Sequence, residues 1–157
     1  MTRSHGWAPS GGRAVGFVPK NWGESLTLAA GLSPDGIVAP LILRGSMTGE
    51  AFERYVEQFV APELRPGDIV FLDNLGAHKR ASVRSTIEAT GAKLVYLPPY
   101  SPDLSPIENA WSKVKALLRR AGARTARRLY GAIAHALRAV TPEDARGWFR
   151  HCGYSVP

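Results

Sequence analysis

Two acidic residues in this sequence stand where their neighbours would let them work on a phosphodiester. Asp73 closes the short apolar run IVFLDN, residues 69–74, and Glu108 lies in YLPPYSPDLSPIENAWSKVK, residues 96–115. Two carboxylates brought to one place suit Mg²⁺, which takes oxygen ligands, keeps several waters, and is commonly held by one or two carboxylates plus substrate phosphates. Such a site can run two-metal phosphoryl transfer, one ion activating the attacking oxygen and the other stabilising the leaving one. Each acid also has a plain structural reading. Asp73, taken alone, reads first as an Asp-Asn turn at a strand end. Glu108 follows Ser105 by three residues with Pro106 between them, the pattern of a capping box at a helix start. The metal reading gains its weight from the pair rather than from either residue alone.

For the two to meet, the chain must carry them to one edge of a sheet. Residues 69–74 read as a strand covered on both faces. Residues 80–90 read as a helix closed by Gly91, and residues 93–97 as a second buried strand. A strand, short helix, strand order implies a parallel pair joined by a right-handed crossover. Ligands of open α/β sheets gather at the carboxyl ends of the strands, where Asp73 is placed. The loop leaving the second strand emerges at that same edge and delivers Glu108 in the first turn of the next helix.

Upstream, residues 25–32 and 36–43 flank Ser33, Pro34, Asp35 and Gly36, turn chemistry that makes them a β-hairpin. From Thr48 to about Pro62 a helical pattern puts Phe52, Tyr55, Val56, Phe59 and Val60 on one face. Residues 1–23 are rich in Gly, Pro and Trp without a sustained period, and read as loop with a short extended piece over 14–18. Helices dominate the end, over about 105–121, 125–140 and 142–151, each opening on a Ser or Thr. The class is α/β with a mixed sheet, and 157 residues suffice for one domain over 1–157 with a single core.

The charge is lopsided. The net charge is +7, yet the residues up to and including Glu108 carry ten basic against eleven acidic side chains, and those after it carry ten basic against two. A surplus this concentrated points to nucleic acid as partner, with a solvated helix face as the bland alternative. On the helix that begins near Ser105, Ile107, Trp111, Val114 and Leu118 form a core stripe, and Glu108, Ser112, Lys115 and Arg119 the neighbouring one. A carboxylate followed by cations along one face is what a metal site opening onto a phosphate backbone requires. Lys113, Lys115, Arg119 and Arg120 are therefore the candidate DNA contacts on this helix. His78 and Lys79, just beyond Asp73, suit either a contact to a scissile phosphate or the start of the next helix. The histidines and Cys152 show no paired spacing for zinc. One cysteine allows no internal disulfide, no run approaches a bilayer span, and no signal peptide precedes residue 14, so a cytoplasmic protein is expected.

LDNLGAHK from Leu72, followed by LVYLPPYSPDLSPIENAWSKVK from Leu94, closely resembles the second half of the catalytic domain of DDE transposases from bacterial insertion sequences of the mariner superfamily, in the IS-six-thirty group. Thirty-four residues separate Asp73 from Glu108, as in that family. The similarity extends to NWGESLTLAAGL and the final WFRHCGY. The resemblance implies an RNase H-like fold using three acids and two Mg²⁺ ions, with Mn²⁺ as a possible substitute. It also implies cleavage of double-stranded DNA at element ends and joining to a TA-containing target. The second acid maps onto Asp73 and the third onto Glu108.

The first acid has no counterpart. In the family it lies on a central strand just upstream of a segment like TRSHGWAPSGGR, within which this sequence begins. The expectation is a truncated catalytic domain, inactive and loosely packed by itself, that associates with itself or with full-length transposase. Asp35 and Asp68 in turns are poor substitutes for the first acid, and Asp103 fixes its own loop. The competing expectation is a non-catalytic DNA-binding or regulatory fragment that inhibits full-length transposase.

Overall fold

A computed structural model describes residues 6–15 and 25–156. The extended piece expected over 14–18 falls largely outside them. The hairpin forms as expected: β1 (Leu26–Ser33) pairs antiparallel with β2 (Gly36–Arg44), closed by Ser33 opposite Gly36. Gly36 takes a φ of 125°, which a side chain would oppose. The register slips between Ala29 and Gly31, opposite Leu41 and Val38. Ala39 adopts a φ of 50° within this bulge, and Pro40 beside it has no N–H to lose from the ladder. The Ala39 carbonyl thus freed accepts a hydrogen bond from the Tyr55 hydroxyl at 2.8 Å. Burial of Tyr55 pushes its pKa up to about 12.

Tyr55 ends α1 (Gly49–Tyr55), capped at Thr48, whose side chain accepts from the Ala51 N–H. The helix expected to run straight to Pro62 instead widens over Val56–Val60, where the Ala61 N–H reaches back five residues to the Val56 carbonyl. More residues per turn rotate later side chains away from the starting face. Phe52, Tyr55 and Val56 are buried as expected, but Phe59 is 37% exposed and lies against the Tyr55 ring instead of entering the core.

β3 (Ile69–Leu72) and β4 (Lys93–Tyr96) form the parallel pair, joined through α2 (Ala81–Ala89). Gly91 ends this helix with a φ of 83°, and a Cβ there would come within 3.1 Å of Pro66. β3 is not covered on both faces as expected. Ile69 is exposed and the next three residues are half-buried, because β3 has β4 as its sole ladder partner among the described residues. The hairpin and the parallel pair make two separate two-stranded sheets, so the antiparallel and parallel parts of the expected mixed sheet are present without a ladder between them.

Helices α3 (Pro106–Ala121), α4 (Ala126–Arg138) and α5 (Pro142–His151) complete the α/β architecture, an RNase H-like arrangement of the kind expected. Two apolar clusters hold it. One gathers Phe52, Tyr55, Val56, Val83, Ile87 and Leu94. The other gathers Val114, Leu118, Ile133, Ala136 and Val140. The hairpin serves both: Ala29 and Leu41 pack on the first, Leu28, Leu32, Ile37 and Ile42 on the second. That two-sided use explains why its strands read as apolar runs instead of alternating. No helix among the described residues is long and apolar enough to cross a membrane.

Candidate active site

Asp73 follows the last residue of β3 directly, at the carboxyl end of the strand. The Leu97 N–H still bonds the Leu72 carbonyl at 2.8 Å, so the parallel pairing ends one step before the acid. Asp73 Oδ1 accepts from the Leu75 N–H at 3.1 Å, forming the expected Asx turn. Its Oδ2 has no hydrogen-bond partner among the described residues, and the side chain is 54% exposed. The turn therefore engages one of the two carboxylate oxygens.

The loop after Asp73 is fastened at three points. The His78 ring lies on Phe52 with centroids 4.1 Å apart, and its carbonyl accepts from the Tyr96 hydroxyl at 2.9 Å. Arg80 donates to Glu53 at 2.6 Å, and Ser82 bonds the same carboxylate. Those two hydrogen bonds, Arg80 first, hold the Glu53 carboxyl below its ordinary value. His78 Nδ1 sits 2.6 Å from Asp73 Oδ1, a close contact that lacks the alignment of a hydrogen bond. The structure thus brings His78 onto Asp73, with the ring only 18% exposed, and leaves neighbouring Lys79 exposed.

Glu108 occupies the first turn of α3, at the end of the loop that leaves the carboxyl end of β4. The expected capping box with Ser105 does not form. Ser105 has φ −112° and ψ 93°, and its side chain makes no cap bond. A short 3₁₀ turn over Pro102–Leu104 precedes it, and the Ser105 N–H is spent on the Pro102 carbonyl at 3.1 Å. That N–H is the group a Glu108 side chain would have to reach. The Glu108 carboxylate is consequently exposed and without a partner among the described residues.

Residues that sequence reasoning did not single out tie these two places together. Phe71, on the same face of β3 as Asp73, meets the Tyr154 ring at 4.8 Å between centroids. The Tyr154 hydroxyl donates to the Leu104 carbonyl at 2.7 Å, four residues before Glu108. Beside Glu108, Asn109 approaches the buried Cys152 thiol at 4.0 Å. Burial, with the charge of Asp103 second, pushes that thiol up. The only sequence signal for this brace was the aromatic residue in WFRHCGY.

Among the described residues no three His, Cys, Asp or Glu side chains gather as a metal-holding group. Asp73 and Glu108 each keep a carboxylate oxygen without a protein partner among the described residues, and carboxylate oxygen is the donor type that suits a hard divalent ion. The cations divide. Lys113 is drawn into an ion pair with Asp144 of α5 and braces α3 on that helix. Lys115, Arg119 and Arg120 are exposed and form no ion pair among the described residues.

Residues 1–130 match a family model described as DDE superfamily endonuclease. Among solved structures, the Mos1 strand transfer complex superposes with a TM-score of 0.71 at 16% sequence identity, over 97% of this chain and 46% of that one. The Mos1 mariner paired end complex with Mn gives 0.67 at 18% identity, over 97% and 47%. The Mos1 transposase catalytic domain with Raltegravir and Mn gives 0.61 at 16%, over 83% and 73%. At these identities the likeness is one of fold, and this chain spans about half the length of the first two. No curated protein matches the sequence.

Proposed function

Because the chain belongs to the DDE superfamily endonucleases, we propose that it is a transposase catalytic domain whose Asp73 and Glu108 bind divalent metal for DNA strand cleavage and strand transfer. The observation that carries this reading is the state of the two carboxylates. Both emerge beyond the carboxyl ends of a parallel strand pair, and both keep an oxygen that the fold does not use. A carboxylate exposed at a helix start and free of the capping bond that the sequence offered it is open to a ligand arriving from solvent.

In this reading Asp73 and Glu108 would hold Mg²⁺, with Mn²⁺ as a substitute, two ions being expected when a third acid completes the set. The metal supplies charge to activate the attacking oxygen and to stabilise the leaving one. The chain's own residues do the positioning. His78 flanks Asp73 and restrains its rotation, and Tyr154 fixes the loop that presents Glu108. Double-stranded element ends and a TA-containing target are the proposed substrates, and self-association or association with full-length transposase is proposed with them.

The test supplies a strand ending in Asp upstream of residue 1 and follows nicking of supercoiled plasmid in Mg²⁺ or Mn²⁺. Cleavage is expected to appear with that strand and to fall at least about a hundredfold with Asp73→Asn or Glu108→Gln, since even the residues that merely support metal ligands are worth 10- to 100-fold. DNA binding without any metal-dependent cleavage in the completed chain would overturn the catalytic reading in favour of a regulatory DNA-binding fragment.

A further inference from the structure

The stretch from Asn109 to Pro142 contains no acidic residue, and five of its cations fall within ten positions: Arg119, Arg120, Arg124, Arg127 and Arg128. They converge on one corner. α3 ends at Gly122, which takes a left-handed φ of 55°, and α4 begins again at Thr125. All five arginines are exposed, and none makes an ion pair among the described residues. Elsewhere in the molecule, Asp35 and Asp144 neutralise Arg146 and Lys113.

Their placement is not what helix stability would select. Arg119 and Arg120 lie in the last turn of α3, where cations suit the helix dipole, so a solvated face explains them. Arg127 and Arg128 lie in the first turn of α4, where cations oppose it. The other helices with a side-chain N-cap put acids there: Glu50 in α1, and Glu143 and Asp144 in α5. α4 alone among these has none. A helix that begins on two arginines, facing a helix end that carries two more, concentrates repulsion that an anion would relieve.

The chemistry narrows the anion. The apolar face of α4, through Ile133 and Ala136, is already spent in the core, so the helix has no face left to lie in a lipid surface. Among the described residues Tyr130 is the one exposed aromatic beside the arginines, too few for a platform that stacks single-stranded bases. Guanidinium groups spread over two helix ends fit the phosphates of a duplex backbone. Resting on the function proposed above, we propose that this arginine corner is a sequence-independent clamp for duplex DNA, set one helix length from the carboxylates. From Glu108 to Arg120 the axis of α3 advances about 18 Å at 1.5 Å per residue. At 3.4 Å per base pair along a strand, that is about five base pairs from the metal-binding end.

The test compares the 157-residue chain with R124A/R127A/R128A by fluorescence anisotropy on an unrelated duplex across a salt series. Each lost phosphate contact removes about 0.9 from the slope of log K against log salt, so a drop of up to about 3 is expected. The unliganded variant should melt no lower than the parent, because repulsion is being removed, and R124K/R127K/R128K should keep most of the slope. An unchanged slope in the alanine variant overturns the clamp while leaving the proposed function standing. A lower melting temperature shared by the alanine and lysine variants would make the arginines structural and also overturn it. A loss confined to single-stranded DNA would do the same. If the parent binds no duplex at all, both readings fall.

Discussion

Two helix starts in this molecule share one sequence pattern and do opposite things with it. α3 opens on Ser105, Pro106, Ile107, Glu108, and α5 on Thr141, Pro142, Glu143, Asp144: a hydroxyl, a proline, one residue, an acid. At α5 the box closes. The Thr141 side chain accepts from the Asp144 N–H at 3.2 Å, and the Asp144 carboxylate accepts from the Thr141 N–H at 3.0 Å. At α3 neither side-chain bond exists. The difference lies one turn upstream. Thr141 has ψ 162° and keeps its N–H for Asp144, whereas Ser105 has ψ 93° and has given its N–H to Pro102. The turn SPDLSP thus removes Glu108 from structural duty before the helix begins. A capping pattern states what an acid is able to do, and the preceding backbone decides whether it does it.

The comparison breaks most visibly at α5. Thr141→Ala is expected to cost about 1 kcal/mol, the usual worth of a filled N-cap. Asp144→Ala should cost about 1 to 2 kcal/mol, because it also strips Lys113 of its partner. Urea unfolding midpoints at constant m-value would measure both. If these substitutions proved as mild as their α3 counterparts, the two helix starts would be equivalent in solution and the contrast would be lost.

A smaller effect appears with pH. The Lys113 hydrogen bond first, then the Thr141 backbone N–H, hold the Asp144 carboxyl below its ordinary value. A carboxyl depressed by folding contributes stability that is fully present above the unfolded value near 4 and is lost as pH falls through the folded one. Between pH 5 and pH 2, stability should therefore fall more steeply in the parent than in Asp144→Asn. Parallel curves from denaturant titration at each pH would argue that the carboxylate is not engaged.

The smallest change is expected at α3. Ser105→Ala and Glu108→Gln should each move stability by less than about 0.5 kcal/mol, since no cap bond exists to lose. A loss near 1 kcal/mol for Ser105→Ala would mean that the box forms after all, and Glu108 would regain its structural explanation.

What was legible in the sequence follows the same division between local pattern and context. The hairpin could be read because Pro34, Asp35 and Gly36 carry turn chemistry within four residues. The parallel pair could be read because Ile69 to Leu72 and Lys93 to Leu97 are short apolar runs bracketing one helix. The place of Glu108 in the first turn of the helix that follows β4 came from the helix-start pattern at Ser105 and Pro106. The widening after Tyr55 was not legible, because Val56–Val60 contains no proline or glycine to mark it. Lys113 read as a free cation because Asp144 lies thirty-one positions away and comes opposite it only when α5 folds back on α3. His78 carries no local signal for the Phe52 ring and the Asp73 carboxylate that it meets in the fold.

The bond from Tyr154 to Leu104 joins residues fifty positions apart. During vectorial synthesis the loop that presents Glu108 is made long before the residue that fastens it. At about 5 to 20 residues per second the interval is roughly 3 to 10 s. Through that interval the parallel pair and α2 can already form from contiguous chain, while the approach of Glu108 to the strand edge stays unlatched. A nascent chain of this protein would therefore acquire its parallel pair earlier than the fastened loop before Glu108, which is held in place only after Tyr154 has been made.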